Sequence, residues 1–313
     1  MLTDDFWDGD PRAAFRKGGL LDINPLGRTI KRRILYKPNQ AMRDLHRKLI
    51  AHIREVRANH VSAVIAPVRL SPLKNVRVHR SGRFFLLFDF KSAYGHVDLD
   101  RMADVLAAFS PDLQSSHEQV RAFLQRYCFA DEGGLATGAP ASPDLFNLYA
   151  GKIVDEPVTG LLALYAAQGR RIQYTRYLDD LTFSAKKQRL GSSFRWRLRE
   201  IFKHAGFELR RVDGKPPFDL RKGPIVITGL RVEWKGRIFV PRHFVQLFRS
   251  TLRQAIHLCH FEDEFSIEKM AGMYGVFCSA LHREQPPTQL EQEVFALWRD
   301  YRKLRKLTLR SRR

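Results

Sequence analysis

The run Phe84 to Phe90, which reads FFLLFDF, constrains the fold more than any other stretch of this chain. It is apolar at almost every position and is bounded by Arg83 and Lys91. Successive strand residues point to opposite faces, so an unbroken apolar run reads as a central strand covered on both sides. Such a strand needs layers of other elements around it, and a mixed α/β (α+β) centre is expected. One acid, Asp89, stands near the end of the run. By itself it reads as a strand-end carboxylate or a cap for the next segment.

Arg171 to Ser184 reads RIQYTRYLDDLTFS. The adjacent carboxylates Asp179 and Asp180 lie between two groups of β-formers. Ile172, Tyr174 and Tyr177 precede them, and Leu181, Thr182 and Phe183 follow. The pattern predicts a β-hairpin with acids at its tip. A water-facing Asp-Asp turn is the simple alternative, although the flanks are more apolar than such a turn requires. Burying adjacent carboxylates is costly unless a cation neutralises them. Magnesium, which prefers hard oxygen ligands and often touches phosphate, is the natural candidate. If the Asp89 strand lies beside the hairpin, three carboxylates meet at one sheet edge. Such a cluster can hold two divalent ions, one activating a hydroxyl and the other stabilising a leaving phosphate oxygen.

Charge points the same way. The chain has 54 Lys plus Arg against 33 Asp plus Glu, a formal net charge of +21. An excess of this size attracts phosphate backbones and makes binding salt-dependent. A basic membrane-surface protein is the rival reading. No apolar run reaches the roughly 20 residues that span a bilayer, and no lipidation motif is present. The start, MLTDDFWDGDPR, lacks the basic and apolar segments of a signal peptide, so a cytoplasmic or nucleoid location is expected. Three cysteines, Cys128, Cys259 and Cys278, do not suggest a disulfide framework.

The first 25 residues look loosely organised. KRRILYKP, at Lys31 to Pro38, reads as a short basic strand closed by proline. Helical periodicity is found over Ala41 to Ala58, Val97 to Phe109, Glu118 to Cys128, Pro143 to Tyr165 and Phe194 to Ala205. Ile225 to Val240 suggests one hairpin turning at Lys235 and Gly236. From Phe244 the chain turns helical and ends in a very basic tail.

Several of these segments together resemble reverse transcriptases. YLDD at Tyr177 to Asp180 is similar to the family's YxDD box, and FDFKSAY at Phe88 to Tyr94 to its first palm motif. GAPASPDLFN at Gly138 to Asn147 resembles the nucleotide-pocket motif, and KRRILYKP the finger segment that meets the triphosphate. GFELRR at Gly206 to Arg211 sits where the next palm motif falls. Two further segments resemble the retron branch: NVRVH at Asn75 to His79 resembles NAxxH, and ITGL at Ile227 to Leu230 resembles VTGL. The chain departs from these patterns at Val76 and Leu178, where alanine is usual, and in SAYGHV at Ser92 to Val97.

The resemblance implies a right-hand polymerase fold with an N-terminal region and fingers over residues 1–85, a palm with interleaved fingers elements over 86–240 and a helical thumb over 241–313. It implies Asp89, Asp179 and Asp180 as the catalytic acids, holding two magnesium ions (or manganese) with help from the Phe90 carbonyl. Tyr94 would pack beneath the sugar and exclude a 2′-hydroxyl; a core aromatic is the alternative. Thr137 and Gly138 would line the nucleotide pocket, with a simple turn as the alternative for Gly138. Arg32 and Arg33 would hold triphosphate oxygens, or form only a basic surface strand, and Lys215 would screen pyrophosphate. Asn75 and His79 would position RNA or support the loop that does, while Arg249 and Arg253 would face phosphates. The implied activity is RNA-directed DNA synthesis from deoxynucleoside triphosphates on one dedicated structured noncoding RNA, giving an RNA–DNA product. An anti-phage role with a separate effector protein goes with it. Two other readings stand beside it: a defence reverse transcriptase of another type, and a nucleic-acid-binding protein on a degenerate polymerase fold.

Overall fold

The computed structural model describes residues 4–23, 30–60, 72–109, 117–210, 217–258, 264–279 and 286–310. In chain order its elements are β1 (Phe15–Ile23), β2 (Ile30–Pro38), α1 (Gln40–His60), α2 (Pro72–Val78) and β3 (Phe84–Asp89). Next come α3 (Leu99–Phe109), α4 (His117–Tyr127), α5 (Ser142–Ala150), α6 (Glu156–Ala167), β4 (Ile172–Tyr177), β5 (Asp180–Ala185) and α7 (Ser192–His204). The rest are β6 (Phe218–Asp219), β7 (Ile225–Ile227), β8 (Leu230–Glu233), β9 (Arg237–Phe239), α8 (Arg242–His257), α9 (Glu264–Ser279) and α10 (Gln289–Arg310). They fall into two compact units, one of Met1–Leu70 with Phe84–Phe218, the other of Ser71–Arg83 with Asp219–Arg313. Among the described residues, no helix is long and apolar enough to cross a membrane.

In the first unit β3 pairs antiparallel with β5, and β5 with β4. Phe84, Phe85, Leu86 and Phe88 are all buried, so both faces of β3 are covered, as the apolar run predicts. The core on the Phe88 face is aromatic. Phe88 meets Phe183 and Phe202 edge-on at 5.9 and 5.5 Å, and Tyr174 stacks on Phe183 at 4.7 Å.

Helix α1 starts where Asn39 caps it, its Oδ1 accepting the Met42 N–H at 2.9 Å. Of the apolar stripe read from the sequence, Met42, Leu45, Leu49 and Ile53 are buried and Ile50 is half-buried. His46 lies in the same stripe and is also fully buried. Its Nδ1 accepts the Ala141 N–H at 3.1 Å, so its Nε2 carries the proton that it donates to the Tyr127 carbonyl at 2.7 Å. A neutral ring thus ties α1 to the loop over residues 128–141.

Burial lowers the His46 pKa from its ordinary 6.5, and the Tyr127 carbonyl opposes this only in part. The unfolded chain therefore takes up a proton at a pH where the folded chain does not. The stability contributed by this group is complete above about pH 6.5 and is lost as pH falls through the depressed value. Thermal melts from about pH 7.5 to pH 5 should show a falling Tm, and His46→Gln should flatten that slope. Equal slopes in both proteins would assign the dependence to other groups. Buried His79, pushed down to about 3, acts with the same sign over a wider window.

Three local expectations differ from the structure. The first 25 residues are not loose: Phe15–Ile23 forms β1, paired with β2 from Phe15↔Pro38 to Ile23↔Ile30. Gly18 and Gly19 weaken the local strand signal, and the partner strand supplies the order. The single helix over 143–165 is two helices joined by a π-helical turn, Gly151–Asp155. The turn ends just before Pro157, which lacks the N–H that would continue the ladder. Residues 225–240 form two successive hairpins, not one, because Thr228 (φ 44°) and Gly229 (φ 80°) make an additional two-residue turn. Positive φ at both central positions is the type I′ pattern.

In the second unit β7, β8 and β9 form an antiparallel sheet. Phe248, Phe277, Val294 and Tyr301 are buried among its helices, where Tyr274 stacks on Trp298 at 4.3 Å.

Candidate active site

Strand register brings the acids together. Asp89, the last residue of β3, is the Cα partner of Asp180, the first of β5. Asp180 in turn pairs with Tyr177, leaving Leu178 and Asp179 as the two-residue tip. Leu178 has φ 54°, a left-handed value that leucine rarely adopts. The Phe90 N–H donates to the Asp179 carbonyl at 3.2 Å, locking the tip against the end of β3. The Phe90 ring is buried and stacks on Phe207 at 4.3 Å.

Arg210 completes this group, and sequence reasoning gave it no role. Its N–H donates to the Asp89 carbonyl at 3.0 Å, and its guanidinium lies 2.7 Å from the Asp89 carboxylate. The described part of this segment, residues 206–210, therefore runs beside the acids, with Leu209 bridged to Phe90. The signal in the sequence was the position of this segment after the hairpin.

The electrostatics favour a cation. Burial raises the Asp180 pKa to about 6, with further push from Asp179 and Asp89 and an opposing pull from Arg210. A hard divalent ion would relieve that repulsion through carboxylate oxygens, so the donor set fits magnesium. Among the described residues the side chains are not already gathered into a metal cage.

Tyr94 sits in the turn Ala93–His96, which follows Ser92 at φ 49°. Its ring lies 5.4 Å from that of Phe146, and burial together with Asp179 and Asp144 raises its hydroxyl pKa. The Leu135 N–H donates to the Tyr94 carbonyl at 2.8 Å. Gly134, at φ 72°, makes that approach possible, since a Cβ there would lie 2.4 Å from the Tyr94 oxygen. Thr137 and Gly138 lie against β2: the Tyr36 N–H donates to the Thr137 carbonyl at 2.8 Å. Gly138 has φ 96°, and a Cβ on it would come within 3.2 Å of the Tyr36 carbonyl. Arg32 and Arg33 belong to β2, opposite Leu21 and Leu20; their side chains and Lys215 lie outside the described residues.

The two segments that resemble retron motifs meet in the second unit. The Asn75 amide of NVRVH donates to the Thr228 hydroxyl of ITGL at 3.4 Å, and that hydroxyl reaches the Pro72 carbonyl at 3.5 Å. Asn75 and His79 are both fully buried. In this conformation neither side chain is exposed at the surface. Arg249 pairs with Glu293 at 2.9 Å, and Arg253 approaches the same carboxylate at 3.7 Å. Both arginines thus share an acid on α10, and Arg253 keeps the more exposed head.

Residues 20–211 match the family described as reverse transcriptase (RNA-dependent DNA polymerase). That span is well over half of the chain, and the chain belongs to this family. It is 25% identical over 168 residues to the Retron Ec83 reverse transcriptase of Escherichia coli, covering 51% of each chain. It is also 25% identical over 157 residues to the Retron Ec86 reverse transcriptase of Escherichia coli, covering 50% of this chain and 45% of that one. Both of these relatives are retron reverse transcriptases, and the chain spans only about half the length of the curated relatives it matches. Among solved structures it is similar to telomerase from Candida albicans in complex with a telomeric RNA fragment. The TM-score is 0.50 at 10% identity, covering 97% of this chain and 60% of the telomerase chain. At that identity the likeness concerns the fold alone. The mixed helix and sheet architecture is a right-hand polymerase fold.

Proposed function

We propose that this chain is an RNA-directed DNA polymerase of the retron type that copies a dedicated structured noncoding RNA. The observation that carries the proposal is the register Asp89↔Asp180, with Asp179 in the adjoining tip. Asp89 and Asp179 would hold two magnesium ions (manganese could substitute) together with the Phe90 carbonyl, and Asp180 would assist the primer-side ion. When bound, such ions lower the pKa of the primer hydroxyl and neutralise charge on the departing pyrophosphate. In the reaction the primer oxygen bonds to the α-phosphorus of a deoxynucleoside triphosphate as the bond to pyrophosphate breaks.

The remaining residues bind and orient. Arg32 and Arg33 take triphosphate oxygens through their guanidinium forks, and Lys215 screens pyrophosphate. Thr137 and Gly138 let the backbone close on the new base pair. Arg249 and Arg253 contact RNA phosphates from the helical thumb over residues 241–313; the N-terminal region and fingers occupy 1–85, and the palm with interleaved fingers elements 86–240. Asn75 and His79 support an RNA-binding surface from within. The RNA–DNA product, a separate effector in anti-phage defence and a cytoplasmic location belong to the same reading.

Sequencing the nucleic acid that co-purifies with the protein from its native locus tests the proposal. A single structured RNA joined to DNA is the expected result, and recovery of unrelated RNAs without DNA would overturn it. Sugar selection is tested separately. Tyr94→Ala should raise ribonucleotide relative to deoxynucleotide incorporation by about 10- to 100-fold, because the ring no longer fills the space of the 2′-hydroxyl. Single-nucleotide kinetics with matched substrates measure the ratio, and an unchanged ratio in a folded variant makes Tyr94 a packing residue.

A further inference from the structure

Beneath the candidate site lies a charged network that polymerase chemistry does not use directly. Arg176 is fully buried within β4, two residues before the strained Leu178. All five of its N–H donors are satisfied. Nε bonds to Asp155 Oδ1 at 2.9 Å, and Nη2 to Asp155 Oδ2 at 2.8 Å. Nη2 also reaches the Asn147 carbonyl at 3.4 Å, and Nη1 the Asn147 Oδ1 at 2.8 Å. The last donor of Nη1 goes to the Leu178 carbonyl at 3.1 Å. The Tyr174 hydroxyl donates to Asp155 Oδ1 at 2.6 Å.

We infer that Arg176 is a positioning residue, gripping the Leu178 carbonyl from inside the core and so fixing the tip that carries Asp179. The inference rests on the catalytic reading of Asp179 given above. Its physical basis is a division of labour across the sheet. Tyr177, Asp180 and Asp89 share one face by register, whereas Tyr174 and Arg176 point into the other. A guanidinium is a rigid planar fork, so once Asp155 and Asn147 fix its plane, the remaining N–H has one direction. That direction ends on a backbone oxygen of the tip, one residue before Asp179. The π-helical turn Gly151–Asp155 ends at the acid that anchors the fork.

The grip also explains how leucine is held at φ 54°. A left-handed leucine persists only where its surroundings over-determine it. Here the Phe90 N–H holds the tip from the β3 side through the Asp179 carbonyl, and Arg176 holds it from the core through the Leu178 carbonyl. The same guanidinium lies 5.7 Å from the centre of the Phe146 ring, against which Tyr94 packs. One buried cation therefore touches the supports of both the acid tip and the candidate sugar gate.

Two variants of the full chain test this. Arg176→Lys keeps a charge near Asp155, but a single ammonium cannot span Asp155, Asn147 and the Leu178 carbonyl. Asn147→Ala keeps the ion pair and removes the acceptor that orients Nη1. In each, hydrogen–deuterium exchange of the peptide over residues 177–181 is measured in the absence of metal, beside primer–template affinity and the magnesium dependence of extension. Faster exchange at the tip is expected, with β3 exchange and primer–template affinity unchanged. The magnesium concentration for half-maximal extension should rise about ten-fold in Arg176→Lys, within the range found for outer partners of metal ligands, and less in Asn147→Ala. Unchanged tip exchange with unchanged magnesium dependence overturns the proposal. So does exchange that rises equally through β3, β4 and β5, which marks a general packing role. If Arg176→Lys does not fold, Asn147→Ala decides on the same criteria. A wild-type protein that extends no primer while its tip stays protected would count against the catalytic reading and leave the structural grip intact.

Discussion

Asp179→Ala is expected to reduce primer extension by about three orders of magnitude, the scale of losing a preorganised electrostatic group at a transition state. RNA affinity should stay nearly unchanged, because basic side chains supply it and not the acids. The variant should also stay folded. The tip is fastened by the Asp179 carbonyl, which truncation of the side chain leaves in place. Removing this carboxylate also relieves the repulsion that helps to raise the Asp180 pKa. Extension and RNA affinity measured on one preparation, with a thermal melt, give the result. Extension within about ten-fold of wild type would remove Asp179 from the site.

The largest expected effect on stability is at Asp155. This carboxylate is almost wholly buried and accepts hydrogen bonds from Arg176 and Tyr174. Asp155→Ala leaves a guanidinium in the core with no counter-charge. Breaking a buried pair in this way costs about 3–5 kcal/mol. A Tm lowered by about 10 °C follows for a unit of this size. Urea denaturation gives the free-energy change independently. A shift of less than about 2 °C would mean that the core admits water to the orphaned arginine. Removing both charges together, as in Arg176→Met with Asp155→Leu, should cost much less than Asp155→Ala, because no unpaired ion remains.

These two positions differ in how far they could be read in advance. Asp179 stands out, since acids at the tip of a strongly β-forming hairpin point either to a cation or to a water-facing turn. Asp155 does not. It sits beside Glu156 in a largely apolar helical stretch, and neither it nor Arg176 is marked by any motif. Each becomes a buried ion only because the other is there. The nearest local clue was alternation, which puts Arg176 on the same face as Tyr174. Arg210 has a similar history: its segment was recognised, but its pairing with Asp89 depends on a bridge between Leu209 and Phe90. Asn75 and His79 stand out in the sequence as a motif, but that both side chains are buried is decided only by the tertiary structure.

Short-range chemistry was enough to find the central strand, the acidic hairpin and the stripe of α1, since alternation, helical periodicity and turn preference act over a few residues. The β1–β2 ribbon escaped it because Gly18 and Gly19 carry little strand preference of their own. Their order comes from hydrogen bonds to β2. The placement of Asp89 opposite Asp180, the meeting of Asn75 with Thr228 and the Arg176–Asp155 pair each join segments far apart in the chain. Packing selects such pairs by excluding water from both partners at once, and no local pattern encodes which distant residue will be there.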